Sequence, residues 1–357
     1  MTEIRERVCD ERRAALWAAL LSWYDANKRD LPWRRSDDPY AVWISESMLQ
    51  QTRVETVIPY FRRFMERFPT VGSLAEADVD EVLARWSGLG YYSRARRLHA
   101  AAAQLLELHE GEFPRDRAAA EALPGVGAYT AGAVLSIAYD LEEPLIDGNV
   151  QRVLARWFHV EGLVSRAATR RELEGLAEAL VRGVGDPASW NQALMELGAT
   201  ICLPREPRCG GCPVEAFCEA RAQGAEHAVP VLPRRPAPID VELELFLVEE
   251  GGRVLLQRRG TGDRMAGLWE LPTRELASGT PRLFPAELEL TLLAREELGE
   301  LRHTITRHKI TAKVHKAVLG DSELPPRCAW FAGAELSGLG LTGMTKKALT
   351  LGRGRSL

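Results

Sequence analysis

The sequence has no apolar run approaching the roughly 20 residues that a membrane-spanning helix needs, so no membrane partner is expected. Residues 1–13 lack the apolar region of a secretory signal peptide, which favours a cytoplasmic protein. The net charge is only −4 over 357 residues, which excludes a chain that is basic all over. It does not exclude a local basic face, which is all that a nucleic-acid-binding protein needs.

Cysteine is scarce, but its distribution is uneven. Of six cysteines, four lie within 17 residues: Cys202, Cys209, Cys212 and Cys218. In a reducing compartment such clustering favours metal ligation over a disulfide framework. Zinc usually takes two Cys-x-x-Cys pairs, whereas here one pair is flanked by single cysteines. This asymmetry favours a cubane iron–sulfur cluster, which four thiolates also satisfy, and leaves zinc as the alternative.

The first two thirds of the sequence favour helices. Between residues 11 and 228, amphipathic stretches recur at 79–86, 95–108 and 171–181, joined by turns that contain Gly and Pro. Four prolines in residues 229–238 then predict an extended linker.

The last third has a mixed pattern. Residues 241–248 and 254–259 flank a glycine turn and predict two strands, 285–298 predict a helix, and 301–319 predict further strand. We therefore expect three parts: a helical domain (1–228), a linker (229–239) and an α+β domain (240–357).

A glycine-rich turn lies between two of the expected helices. In Leu123-Pro124-Gly125-Val126-Gly127 the glycines let the backbone turn tightly and direct successive N–H groups outward. At a helix N-terminus such a turn can bind an anion such as a DNA phosphate. An ordinary helix connection without a ligand is the alternative.

Two acids, Glu46 and Asp147, interrupt otherwise apolar or small surroundings. Cleavage of an N-glycosidic bond uses two carboxyl groups in different environments. One protonates the leaving base, and the other stays ionised beside the oxocarbenium-like sugar. Each acid taken alone could also be a helix cap or a solvated side chain.

Four motifs together resemble the helix-hairpin-helix DNA glycosylases of the endonuclease III superfamily, and within it the adenine DNA glycosylases (MutY-type). They are residues 43–52, 123–133 and 146–156 and the cysteine spacing, in the family's order. The resemblance covers nearly all of residues 11–225. It implies an all-α glycosylase domain with a 4Fe–4S cluster loop (202–218), followed by an α+β Nudix-like domain.

The resemblance also implies roles for individual residues. Glu46 resembles the acid that protonates adenine N7 and later handles the attacking water, and Asp147 the carboxylate that stabilises the sugar cation. Tyr129 and Asn149 resemble supporting active-site residues. The resemblance assigns DNA binding and base flipping to Gln51, Tyr91, Arg94, Leu123, Gly125 and Gly127. It assigns the adenine pocket to Arg34 and Gln192.

Tyr129 separates two subfamilies. Members that also nick the strand carry a lysine in this place, which attacks the sugar as a Schiff-base nucleophile. A phenol cannot form an imine, so the resemblance implies a monofunctional enzyme that leaves an abasic site.

Arginines supply the expected contacts to DNA phosphates. Four of them bracket Tyr91 and two follow Asp147: Arg85, Arg94, Arg96, Arg97, Arg152 and Arg156.

The last third resembles the Nudix-related C-terminal domain of the same glycosylases, most clearly at residues 267–272. Residues 295–299 are a remnant of a Nudix box, too far from Gly267 to support nucleotide hydrolysis. The resemblance implies recognition of 8-oxoguanine by Thr306, Arg307 and His308, although the family's loop commonly reads Phe-Ser-His.

The expected function is base-excision repair by a monomer at the bacterial nucleoid. The enzyme would remove adenine paired with 8-oxoguanine or guanine in double-stranded DNA. Two rivals remain: repair of oxidised pyrimidines or thymine mismatches, and a non-enzymatic module that uses the cluster to bind DNA or sense redox state.

Overall fold

The computed structural model describes residues 7–260, 262–277, 282–284, 288–321 and 323–352. These residues divide into two compact units. The first comprises the described residues up to Met65, Thr70–Gly72 and Ala101–Arg234. The second comprises Glu66–Pro69, Ser73–Ala100 and the described residues from Arg235 onwards. None of the described helices is long and apolar enough to cross a membrane.

The described residues up to 222 form helices joined by turns, as the sequence predicts. The amphipathic stretch at 79–86 is one of these helices, and 95–108 and 171–181 each lie inside another. The helices are α1 (Asp10–Asn27), α2 (Pro39–Leu49), α3 (Val54–Arg67), α4 (Val71–Ala75), α5 (Val79–Trp86), α6 (Ser93–His109), α7 (Arg117–Glu121), α8 (Ala128–Tyr139), α9 (Gly148–Trp157), α10 (Ala167–Val181), α11 (Pro187–Thr200) and α12 (Glu219–Ala222).

Aspartates begin four of the helices that build the first unit. Each side chain accepts a hydrogen bond from a backbone N–H of the first turn, which satisfies a donor that the helix leaves open. These caps are Asp38 for α2, Asp116 for α7, Asp147 for α9 and Asp186 for α11.

The core of the first unit lies among α1, α9, α10 and α11. Trp157 and Trp190 are fully buried there, with ring centroids 6.4 Å apart. Burial of large aromatic rings is a major source of stability in a core of this kind. It holds α9 and α11 together, and these two helices contribute Asn149, Gln192 and Glu196 to the site described below.

The second unit contains a mixed sheet in which β1 pairs in parallel with β6 and the other pairings are antiparallel. The order is β3-β2-β1-β6-β5, with β4 also paired to β1 and β7 to β2. Its elements are β1 (Ile239–Glu250), β2 (Arg253–Arg258), β3 (Trp269–Glu270), β4 (Thr273–Ala277), β5 (Leu292–Ile305), β6 (His308–Leu319), β7 (Cys328–Ala332) and helix α13 (Gly343–Gly352).

The helix predicted over residues 285–298 is wrong where the structure describes it. Leu292–Ile305 is strand β5, paired with β6 over its whole length, and residues 285–287 lie outside the described residues. Leu, Ala, Arg and Glu favour a helix locally, but a long antiparallel ladder outweighs that preference. The Nudix-box remnant at 295–299 therefore lies on a strand.

Residues from the predicted helical domain also pack within the second unit. Ser87 Oγ donates to the carbonyl of Leu341 at 3.1 Å, and Asp80 forms an ion pair with Arg258. The division of the chain at residues 229–239 stays a prediction.

Candidate active site

The two predicted acids line one cavity of about 530 Å³ in the first unit. The other residues predicted for catalysis and for the adenine pocket line it too: Tyr129, Asn149, Arg34 and Gln192. So does Gln51, which was predicted for base flipping. Helix α2 contributes Glu46, α8 contributes Tyr129, and α9 begins directly after Asp147. Residues more than 80 positions apart in sequence thus meet at one site.

Glu46 is buried, with 4% of its surface exposed. Burial raises its pKa to about 7, and the charge of Asp147 acts in the same direction, while a hydrogen bond from the Tyr129 hydroxyl opposes both. Desolvation favours the neutral carboxyl, so Glu46 holds a proton near neutral pH. A buried carboxyl of this kind can act as a general acid.

Asp147 has different surroundings. Burial raises its pKa too, but hydrogen bonds from the N–H of Val150 and from Asn149 oppose the rise. Its Oδ1 accepts from the backbone N–H groups of Asn149 at 2.8 Å and Val150 at 2.7 Å, and its Oδ2 from Asn149 Nδ2 at 2.7 Å. The N-terminus of α9 also favours negative charge here. Burial thus raises the pKa of both acids, but Asp147 accepts three hydrogen bonds that favour its ionised form, whereas Glu46 accepts one, from Tyr129.

Arg152 stabilises the orientation of Asn149, which in turn donates to Asp147. Its Nη2 donates to Asn149 Oδ1 at 2.9 Å and to the carbonyl of Gly198 at 2.7 Å, and its Nε donates to the carbonyl of Cys202 at 2.7 Å. Gly198 lets α11 approach, because a Cβ at this position would lie 2.6 Å from Asn149 Cβ. The Arg152 guanidinium therefore donates its hydrogen bonds to acceptors within the protein.

The predicted phosphate contact of Arg156 is wrong. This side chain is 2% exposed, and its Nη1 lies 3.2 Å from Cys202 Sγ and 2.7 Å from the carbonyl of Leu203. Spacing after Asp147 could not reveal this, because helix α9 turns Arg156 towards the cysteine loop.

Gln51 and Tyr91, both expected to take part in base flipping, share an unusual backbone conformation. Gln51 has φ 59° and Tyr91 has φ 47°, and both are exposed, Tyr91 by 45%. Residues other than glycine rarely adopt this left-handed backbone conformation, and such strain is concentrated at functional positions. Beside Tyr91, the Arg94 guanidinium lies 5.3 Å from the ring centroid.

The glycine-rich turn connects α7 to α8. Gly125 has φ +83°, which favours glycine. Gly127 precedes α8, with open space where a Cβ would lie and no side-chain cap on the helix. Leu123 is 2% exposed, so only its backbone could reach a ligand. The open helix N-terminus suits a phosphate.

The four clustered cysteines line a second cavity, together with Arg156 and Glu226. Burial raises the pKa of Cys209, Cys212 and Cys218, and the neighbouring thiols add to the rise. The four are therefore mutual neighbours. Among the residues that the structure describes, no group of three or more His, Cys, Asp or Glu side chains could hold a single metal ion.

The predicted recognition loop is the tip of the β5–β6 hairpin. Thr306 (φ 54°) and Arg307 are exposed there, whereas His308 is 3% exposed, with Nδ1 3.3 Å from the carbonyl of Ile305. The structure brings the first two to the surface but not the imidazole. The alternation of β6 points His308 into the fold, which the motif alone did not indicate.

Comparison with known proteins agrees with this geometry. A family model described as HhH-GPD superfamily base excision DNA repair protein matches residues 44–179, and one described as NUDIX domain matches residues 245–351. The adenine DNA glycosylase of Mus musculus is 35% identical over 395 aligned positions, covering 93% of this chain and 76% of the mouse protein. That of Homo sapiens is 35% identical over 409 positions, covering 96% of this chain and 74% of the human protein. The chain belongs to the adenine DNA glycosylase family.

This adenine DNA glycosylase family member also resembles a solved structure over part of its length. A thermostable thymine-DNA glycosylase aligns with TM-score 0.55 and 29% identity, covering 60% of this chain and 98% of that chain. The predicted family and fold class, a helix-hairpin-helix domain followed by a Nudix-like domain, are confirmed.

In this family member the cavity wall contains a charged cluster that sequence reasoning missed. Glu196 is 1% exposed and accepts from Arg29 Nε at 2.6 Å and from Arg34 Nη2 at 2.9 Å. Burial alone would raise its pKa, but the hydrogen bonds from Arg29 and the charge of Arg34 outweigh burial and lower it. In the sequence Glu196 is one acid on an amphipathic helix, so only the fold reveals its partners.

Proposed function

We propose that the chain removes adenine from duplex DNA by hydrolysing the N-glycosidic bond, and that its substrate is adenine paired with 8-oxoguanine or guanine. The observation that carries the proposal is the pairing of Glu46, whose pKa burial raises to about 7, with the hydrogen-bonded Asp147 in one cavity. Membership of the adenine DNA glycosylase family supports the choice of base.

The proposed reaction uses the two carboxyl groups in sequence. Glu46 gives its proton to a ring nitrogen of the flipped adenine, and the bond between the sugar C1′ and the base breaks with its electron pair leaving on the base. The Asp147 carboxylate stabilises the resulting sugar cation. Water then adds to C1′ and returns a proton to Glu46, which leaves an abasic site.

We propose that the enzyme is monofunctional. No lysine is among the described residues that line the cavity, and Tyr129 uses its hydroxyl to hold Glu46. Without an amine near the sugar carbon, no Schiff base forms.

For the opposite base, we propose contacts from the hairpin tip. Thr306 and Arg307 are the exposed polar side chains at this turn, and they could hydrogen-bond an oxidised purine. His308 would act by supporting the turn from beneath.

For the cysteines, we propose a 4Fe–4S cluster held by Cys202, Cys209, Cys212 and Cys218. All four thiols line one cavity, and a single Cys-x-x-Cys pair flanked by two lone cysteines fits an iron–sulfur cluster better than zinc. Such a cluster would stabilise the loop and could exchange electrons. Visible absorbance with four irons per chain is expected, and one zinc per chain would refute the proposal.

A single-turnover excision assay with enzyme in excess tests the function. Duplexes carry adenine opposite 8-oxoguanine, guanine or thymine, and each is read with and without alkali. We expect alkali-dependent breaks, fastest opposite 8-oxoguanine, and loss of at least about 100-fold in rate for Asp147→Asn. Undiminished excision by that variant would contradict the assignment of Asp147. Breaks without alkali would contradict monofunctionality.

A further inference from the structure

Tyr24 lies behind the wall of the active-site cavity. It belongs to the last turn of α1 and is 2% exposed. Its hydroxyl lies 3.1 Å from Gln192 Oε1, and the Arg34 guanidinium lies 5.5 Å from its ring centroid. One buried side chain therefore contacts both residues expected to form the base pocket.

These contacts determine the orientation of the Gln192 amide. Nε2 donates to the carbonyl of Ala188 at 3.3 Å, while Oε1 accepts from Tyr24. Rotating the amide by half a turn would direct its oxygen at the Ala188 carbonyl, where two acceptors would repel each other. The hydrogen-bond network thus selects one orientation.

The orientation determines what the cavity offers to a base. A primary amide has two N–H donors and two acceptor lone pairs, and the contacts with Tyr24 and Ala188 use one of each. One lone pair of Gln192 Oε1 and one N–H of Nε2 remain. Adenine presents an amino donor at position 6, whereas guanine and hypoxanthine present a carbonyl acceptor there.

We infer that Tyr24 is a positioning residue that fixes the hydrogen-bond polarity of Gln192 and thereby selects a 6-amino purine over a 6-oxo purine. The inference rests on the proposed removal of adenine. The lone pair of Gln192 Oε1 accepts from the amino group of adenine and repels a 6-oxo group. Without the Tyr24 hydroxyl, only the 3.3 Å contact with the Ala188 carbonyl restrains the amide, so the rotation that offers Nε2 to a 6-oxo group costs less free energy.

The test compares wild type with Tyr24→Phe, which removes only the hydroxyl and keeps the ring beneath Arg34. Single-turnover excision is measured for adenine and for hypoxanthine, each opposite 8-oxoguanine, across a range of enzyme concentrations. We expect the ratio of maximal rates, adenine over hypoxanthine, to fall about tenfold, the value of roughly one hydrogen bond. The enzyme concentration at half-maximal rate should not change.

A double-mutant cycle separates positioning from a general loss of packing. In the Gln192→Ala background, Tyr24→Phe should leave the ratio unchanged, because the amide through which it acts is gone. Tyr139→Phe is the matched control: it removes a hydroxyl that donates to the carbonyl of Phe113 at 2.5 Å, away from the cavity.

Three results would overturn the inference: an unchanged ratio for Tyr24→Phe, an equal fall for Tyr139→Phe, or a further fall in the Gln192→Ala background. Failure of the proposed function is a different result, because the wild-type enzyme would then release no adenine from any duplex.

Discussion

Arg152 and Asn149 lie one helical turn apart on α9, and Arg152 Nη2 donates to Asn149 Oδ1 at 2.9 Å. With its oxygen held by Arg152, the amide of Asn149 must direct its nitrogen at Asp147 Oδ2, 2.7 Å away. The same guanidinium contacts the carbonyl of Cys202. A single side chain therefore connects the carboxylate of the active site to the start of the cysteine loop.

Arg152→Lys tests this connection. An ammonium keeps the charge but lacks the planar fork that contacts several acceptors at once. We expect excision of adenine to fall about 10- to 100-fold, because a misplaced supporting group raises the barrier of the chemical step. Single-turnover rates measure the effect, and the exposed Arg171→Lys on α10 is the control, with no expected change. Equal rates for both variants would refute the connection.

Gly198→Ala tests the close approach of α11 to Asn149. The added methyl would lie 2.6 Å from Asn149 Cβ, so the two helices must separate or Asn149 must move. We expect a loss of about 1–3 kcal/mol in the free energy of unfolding together with slower excision. The control is Gly72→Ala in α4, where the nearest atom to the new Cβ is Thr70 Oγ1 at 3.8 Å. Chemical denaturation that finds both variants equally stable would contradict the expected clash.

The sequence predicted the parts of this molecule that local patterns determine. Helix α5 follows from apolar spacing. Asp147 was predicted as a functional acid because it interrupts apolar or small surroundings, and its role stays a prediction. The hydrogen-bond partners of Arg156 and Glu196 were not predicted, because these partners lie on other elements and no local sequence pattern indicates such a contact. Strand β5 was missed because its residues favour a helix in isolation and become a strand only when paired with β6.

The pH dependence of excision should report on Glu46. The proposed mechanism needs its neutral form, and its pKa is about 7, so the rate of base release should fall as pH rises through 7. The free energy of unfolding should also fall as pH rises. Since the pKa is raised on folding, the native state binds more protons than the unfolded state between about pH 4.5 and 7. The free energy of unfolding, measured relative to that of Glu46→Gln, should therefore decrease as the pH rises from about 4.5 to 7.

Single-turnover rates and denaturation midpoints from pH 5 to 9 measure both effects. Glu46→Gln supplies the control, since it cannot ionise and should lose most activity at every pH. A wild-type rate that increases through pH 7 would contradict the role of Glu46 as the acid.

Arg12→Ala tests how the start of the chain stabilises the cysteine loop. The Arg12 guanidinium forms an ion pair with Glu219 at 2.8 Å and donates to the carbonyl of Phe217 at 3.0 Å, so it holds both neighbours of Cys218. We expect a loss of about 1–2 kcal/mol in the free energy of unfolding, and faster hydrogen exchange in residues 209–222. Arg13→Ala is the matched control, because Arg13 pairs with the exposed Asp10 and does not contact the loop. If the two variants exchange equally in this segment, Arg12 does not stabilise the loop.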